Sequence, residues 1–128
     1  MEFTYQQKIA IMRILLDIIH ADGIIDARET FFFEQLRKEF NLPIKAHKEV
    51  KAKNSLIALS QIKLLSDEQK RYFAKLMSKM IIVDEDINTN ETTIYGIVAD
   101  FCGIDVKFEE ILKEKEFENI NPSYSESH

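Results

Sequence analysis

The chain has 128 residues, 45% of them hydrophobic, with nine Phe and four Tyr but only three Gly and two Pro. That is enough apolar bulk for one independently folding core, and too few turn formers for a sheet rich in hairpins. A formal charge of −5 and a sequence pI near 5.2 repel phosphate backbones and argue against nucleic acid as a partner.

Cys102 is the only cysteine, so no intrachain disulfide can form, and a reducing compartment suits the chain. Its place after Phe101 at an apolar helix end reads as a small packed hydrophobe. The start, MEFTYQQ, lacks the basic region of a signal peptide, and no apolar run reaches the about 18 residues of a membrane-crossing helix. The expectation is a cytoplasmic protein without direct membrane insertion.

Ile9, Met12, Leu16 and Ile19 fall at helical spacing and predict a first helix over about 4–20, widened by Ile11, Ile14, Leu15 and Ile18 into a helix buried on most sides. Asp22-Gly23 ends it, since Gly takes the left-handed conformation that closes helices. Asp26-Ala-Arg-Glu29 has the form of a capping box and starts a second helix, with Phe33, Leu36 and Phe40 inward and Asn41 to Pro43 as the stop.

A third helix is predicted from about Asn54 to Leu65, with Leu56, Leu59 and Ile62 inward; the periodicity assigns nothing to 44–53. That stretch holds the one basic cluster, Lys45 to Lys53, which could touch a phosphate or an anionic lipid but reads first as a solvated face. Ser66 caps a fourth helix carrying Phe73, Leu76, Met77, Met80 and Ile81. A fifth begins near Thr89, buries Ile94, Ile97, Val98 and Phe101, and closes at Gly103. A short helix is expected over Val106–Lys115. The domain then spans 1–115, with 116–128 a polar, disordered tail.

The chain repeats itself. Shifted by 62 residues, 21–42 lies over 83–104: Asp22 meets Asp84, Ile25 meets Ile87, Asp26 meets Asn88, Glu29 meets Glu91 and Leu36 meets Val98. The preceding helices also align, Ile11 with Phe73 and Ile19 with Ile81. Neither half can cover its own apolar face. An all-α, single-domain helical bundle of two pseudo-symmetric helix–loop–helix halves follows.

The candidate site is the pair of acidic turns. Asp22, Asp26 and Glu29 line the first; Asp84, Asp86, Asn88 and Glu91 line the second. Hard oxygens in a short loop are what Ca²⁺ or Mg²⁺ requires. An EF-hand is not the answer: Thr89 stands where its Gly belongs, and Tyr95 and Phe33 stand where its bidentate Glu belongs. The competing reading is structural, with Asp26 and Asn88 as N-caps and Glu29 and Glu91 completing capping boxes. His20, beside the first turn, aligns with Ile82 and reads as a semi-buried packing position; His47 and His128 read as solvated. No nucleophile–base pair, phosphate loop or His/Cys metal spacing points to an enzyme.

The helix ending in ADG-I-I-x-x-x-E, the later IVDEDI-x-x-x-E with its closing FCGI, and the linking LSDEQKRYFAKLMSKM together resemble the TerB-like tellurite-resistance family over about residues 5–112. The resemblance implies the TerB-like all-α fold, a cytoplasmic accessory role in resistance to tellurite and other stresses, and no catalysis. It also implies membrane-associated protein partners and a metal held by Asp22 and Glu29, then Asp84 and Glu91. The second turn departs from the pattern, with Glu85 where the family has Gly. The alternative is a protein-interaction adaptor whose acidic turns are only caps, offering an apolar patch near Phe31, Phe32 and Tyr95.

Overall fold

The computed structural model describes residues 2–21, 23–83 and 87–120, with 115–120 described through the backbone alone. These residues form seven α-helices and no strand: α1 (Tyr5–Ile19), α2 (Ala27–Glu39), α3 (Ala46–Ala52), α4 (Ser55–Lys63), α5 (Asp67–Ile82), α6 (Thr89–Cys102) and α7 (Phe108–Ile120). No helix among them is long and apolar enough to cross a membrane.

The helix starts follow local chemistry. Thr4, Asp26 and Ser66 each close a capping box, with Gln7, Glu29 and Gln69 as the returning side chains, and Asn54 and Asn88 accept from the first-turn amides of α4 and α6. The stops are matched across the repeat. Asn41 and Gly103 occupy equivalent positions and both take positive φ, 58° and 73°. In each case the next amide reaches back to close the turn, Leu42 N to the Arg37 carbonyl and Ile104 N to that of Ala99.

α1 is the centre of the bundle. It packs against α2, α3, α4, α5 and α6, and Ile9, Ile11, Met12, Ile14, Leu15 and Ile18 are fully buried. The contacts are reciprocal: α1 lies on α6 as α5 lies on α2, and α1 meets α2 as α5 meets α6. That is the pairing of a pseudo-twofold arrangement, and burial obeys it. Phe33, Leu36 and Phe40 are buried, as are their counterparts Tyr95, Val98 and Cys102.

Residues 46–52, left open by the periodicity, form α3. Arg13 fastens the α3–α4 corner to α1: it donates to the Lys51 carbonyl (2.9 Å), to Ser55 Oγ (3.2 Å) and to Asp17 (2.7 Å), and Ser55 Oγ donates to Asp17 at 2.7 Å.

The register of two helices differs from the sequence reading. In α4, Ile62 is buried and Leu59 partly buried against the core, as expected, but Leu56 is 69% exposed, and Ala58 and Leu65 face inward. In α6, Ile97 is 59% exposed and Phe101 is also exposed, while Tyr95, Val98, Ala99 and Cys102 are buried. Tyr95 explains the rotation. Its ring packs edge-on against Phe108 (5.8 Å) and its hydroxyl donates to the Val106 carbonyl at 2.6 Å, so the large amphipathic ring takes the core position and turns Ile97 outward. Burial, opposed by a bond to Ser78, raises its pKa to about 12, so the hydroxyl stays a donor at any physiological pH. α7 carries on to Ile120, past the Lys115 expected from the pattern.

Two glycines in one helix test this local account with opposite signs. Gly96 sits mid-helix with nothing within 4 Å of an added Cβ. Gly96→Ala is therefore expected to stabilise the protein by up to about 1 kcal/mol. Gly103→Ala forces a Cβ into a left-handed backbone and is expected to destabilise by about 1 kcal/mol. Urea unfolding of the two variants measures both.

Candidate cation-binding turns

The first turn begins where α1 ends. His20 closes the helix and is exposed, not semi-buried as its repeat alignment suggested. Gly23, at φ 78°, bends the chain away from α1 with its amide donating to the His20 carbonyl at 3.2 Å. Ile24 and Ile25 then cross the surface to Asp26.

The Asp26 carboxylate is committed locally. Oδ1 accepts from the Arg28 amide (2.7 Å) and from Arg28 Nε (3.2 Å), and Oδ2 accepts from Arg28 Nη2 (3.3 Å). The bond from the Arg28 side chain, ahead of that from its amide, holds the Asp26 carboxyl below the usual range. Asp26 is thus an N-cap and one half of a surface ion pair.

Glu29 is different. It is 2% exposed, as deep as the surrounding core. Its Oε1 accepts from the Asp26 amide at 3.3 Å, which completes the capping box. Its Oε2 is buried and has no hydrogen-bond partner among the described residues. A carboxylate oxygen withdrawn from water without a donor costs several kcal/mol, more than the roughly 1 kcal/mol a capping box returns.

The second turn repeats the arrangement. Asn88 Oδ1 accepts from the amides of Asn90 (2.8 Å) and Glu91 (3.2 Å). Glu91 is again 2% exposed, with its Oε1 buried. So the structure brings Asp26 to Glu29 and Asn88 to Glu91, each pair across one turn of helix. Asp22, Asp84, Asp86 and Glu85 lie outside the described residues. Among those described, no three His, Cys, Asp or Glu side chains gather.

The sequence reading placed Glu29 and Glu91 in the acidic turns as metal ligands or capping-box partners and did not foresee their burial. The signal was present. Glu29, Phe33, Leu36 and Phe40 share one helical stripe, as do Glu91, Tyr95, Val98 and Cys102, so each glutamate sits on the inward face.

Other side chains are explained by packing. Cys102 is fully buried, its Sγ contacts the Leu59 carbonyl at 3.6 Å, and burial pushes its thiol pKa up despite nearby Lys70 and Lys63. His47 is partly exposed but not isolated: Nε2 bonds Glu34 Oε2 at 2.6 Å and the ring leans on Phe33. Phe31, Phe32 and Phe33 splay around α2, with Phe31 exposed and Phe33 buried, and Tyr95 is buried rather than part of a surface patch.

Several clefts open among the described residues. One of about 460 Å³ opens between Phe3, Lys8, Glu39, Phe40 and Tyr72. Another of about 330 Å³ follows α6 past Thr92, Gly96 and Asp100 to Lys107. Smaller ones lie beside Phe32 and Lys75 and beside Lys70 and Gly103.

No protein-family model matches the chain, and no curated protein does either. The fold has solved counterparts. The crystal structure of a protein of unknown function from Porphyromonas gingivalis W83 is similar over 89% of this chain and 98% of that one, at 22% identity and a TM-score of 0.73. The two share the all-helical fold.

The Glu34 contacts yield a pH prediction. Burial works to raise its pKa, but the bonds from Arg37 (3.0 Å) and His47 outweigh it and leave the carboxyl below its ordinary 4.5. A lowered folded pKa contributes stability that is complete above 4.5 and is lost as pH falls through the folded value. Thermal melts of Glu34→Gln should therefore decline less steeply than wild type below pH 4.5; parallel curves would show that the bonds add nothing.

Proposed function

We propose that this chain is a non-catalytic accessory module of the TerB-like stress-response type, in which each acidic turn takes a divalent cation, Ca²⁺ or Mg²⁺. The observation that carries the reading is the buried, unpartnered Oε2 of Glu29 at the foot of the first turn. A hard cation meets the needs of such an oxygen, and Glu91 stands at the equivalent depth in the other half. Glu29 and Glu91 would supply the anionic ligands, and Asp26 and Asn88 would hold the turns in shape through their caps. The cation's part is electrostatic: it ties the end of one helix to the start of the next. A cytoplasmic location and membrane-associated protein partners belong to the same proposal and rest on the family resemblance.

The second reading, an adaptor with purely structural turns, draws on the exposed Phe31 and on the engagement of Asp26 by Arg28. One experiment separates the two. A ligand that binds only the folded state raises its melting point. Millimolar Ca²⁺ or Mg²⁺ should raise that of the wild type by several degrees. Glu29→Gln and Glu91→Gln should each lose part of the rise, and the double variant all of it. The same melting point with and without the ions, at every concentration up to millimolar, would leave the turns as caps alone.

A further inference from the structure

The segment 44–64 inverts the character of the protein around it. It holds Lys45, Lys48, Lys51, Lys53 and Lys63 against one acid, Glu49, in a chain whose net charge is −5. None of these lysines enters an ion pair among the described residues. The same segment exposes large aliphatic side chains: Ile44, Leu56, Ile57 and, at 85%, Leu64. From Asn54 to Leu64 there is no carboxylate at all.

The exposed aliphatic residues of α4 share one side of that helix. Leu56, Ile57, Ser60 and Leu64 stand on the outer side of α4, opposite the buried Ala58, Ile62 and Leu65. Phe101 of α6 extends it, with the Lys63 ammonium 5.2 Å from its ring centre. The platform is held still, since Arg13 and Asp17 pin the carbonyl of Lys51 and the hydroxyl of Ser55 to α1.

We propose that the outer face of α3 and α4 docks on the surface of an anionic phospholipid bilayer, with the lysines at the headgroups and Leu56, Ile57 and Leu64 in the interfacial layer. Two features select this occupant. A second copy of the chain packed face to face would set these lysines against themselves. A partner side chain needs a recess, and none of the clefts described above takes a lining residue from 44–64. Exposed aliphatic groups beside Lys63, with four more lysines in the segment just before them, suit a fluid, negatively charged surface instead. The contact is peripheral and independent of any cation in the acidic turns.

The test is co-sedimentation of the full chain with vesicles of phosphatidylcholine alone or mixed with phosphatidylglycerol. Binding is expected only to the mixed vesicles, and it should fall as salt rises. Each lysine near an anionic bilayer is worth about fivefold in partitioning, so the pair Lys51→Gln, Lys53→Gln should weaken binding by roughly tenfold or more. Leu64→Ser should weaken it by roughly tenfold through lost apolar contact. Lys51 and Leu64 are exposed and Lys53 is half-buried, and both variants should melt as wild type does. Phe31→Ser, on α2, should bind as wild type does. No binding to the mixed vesicles overturns the proposal, as does equal, salt-insensitive binding to phosphatidylcholine alone. So does binding unchanged by the α3–α4 variants. Lipid-free self-association that Leu64→Ser abolishes would assign the face to a second copy and overturn it too.

Discussion

Glu29 and Glu91 are carried into the protein by the same helix stripes that build its core. In α2 the stripe continues through Phe33, Leu36 and Phe40, and in α6 through Tyr95, Val98 and Cys102. A helix that buries those residues against α1 and α5 cannot leave the glutamate one turn earlier in water. Each carboxylate is therefore under two demands, the apolar packing that submerges it and the electrostatic cost of submersion. The capping box meets that cost for Glu29 Oε1 but not for Oε2. Core packing and the proposed cation chemistry thus meet in single residues, and the duplication places that meeting at the same depth in both halves.

Much of the fold was legible in the sequence because its cues are local. The caps read at Asp26, Ser66 and Asn88 depend on one side-chain oxygen and the next three amides, so the pattern is written in adjacent letters. The 62-residue repeat was visible for the same reason and foretold the reciprocal packing of α1 on α6 and α5 on α2. Helix facing was harder wherever apolar residues surround the axis. In α4, Leu56 and Ile62 are equally apolar, and only the neighbour decides which is covered. In α6, Tyr95 won the core through a bond to Val106, eleven residues away in sequence, which no helical periodicity encodes. His47 found Glu34 by the same long-range logic. For the site, the residue types at Asp26, Glu29, Asn88 and Glu91 were readable. Their division of labour was not, because burial decides it: the capping residues stay near the surface and the glutamates go under.

The surface divides along the same lines. Acidic turns lie where the helices of each repeat hand over, whereas α3 and α4 carry lysines and uncovered aliphatic side chains. At the 62-residue shift α3 falls on the first turns of α7, and α1 packs on α3 as α5 packs on α7, so the buried side of α3 obeys the repeat while its exposed side carries lysines. Arg13 and Asp17 hold the α3–α4 corner to α1 through the Lys51 carbonyl and the Ser55 hydroxyl, which fixes it to the core without covering its outer face.

The claim at the centre is that the buried Glu29 carboxylate, and Glu91 with it, is matched by a cation. Anomalous diffraction from crystals grown with Mn²⁺, a hard ion that stands in for Mg²⁺ or Ca²⁺, reads this directly. The expected result is one peak within about 2.0–2.6 Å of a Glu29 carboxylate oxygen and a second at the same distance from Glu91. A map with peaks only at surface carboxylates, and with Glu29 Oε2 accepting from a water or an amide instead, would contradict it.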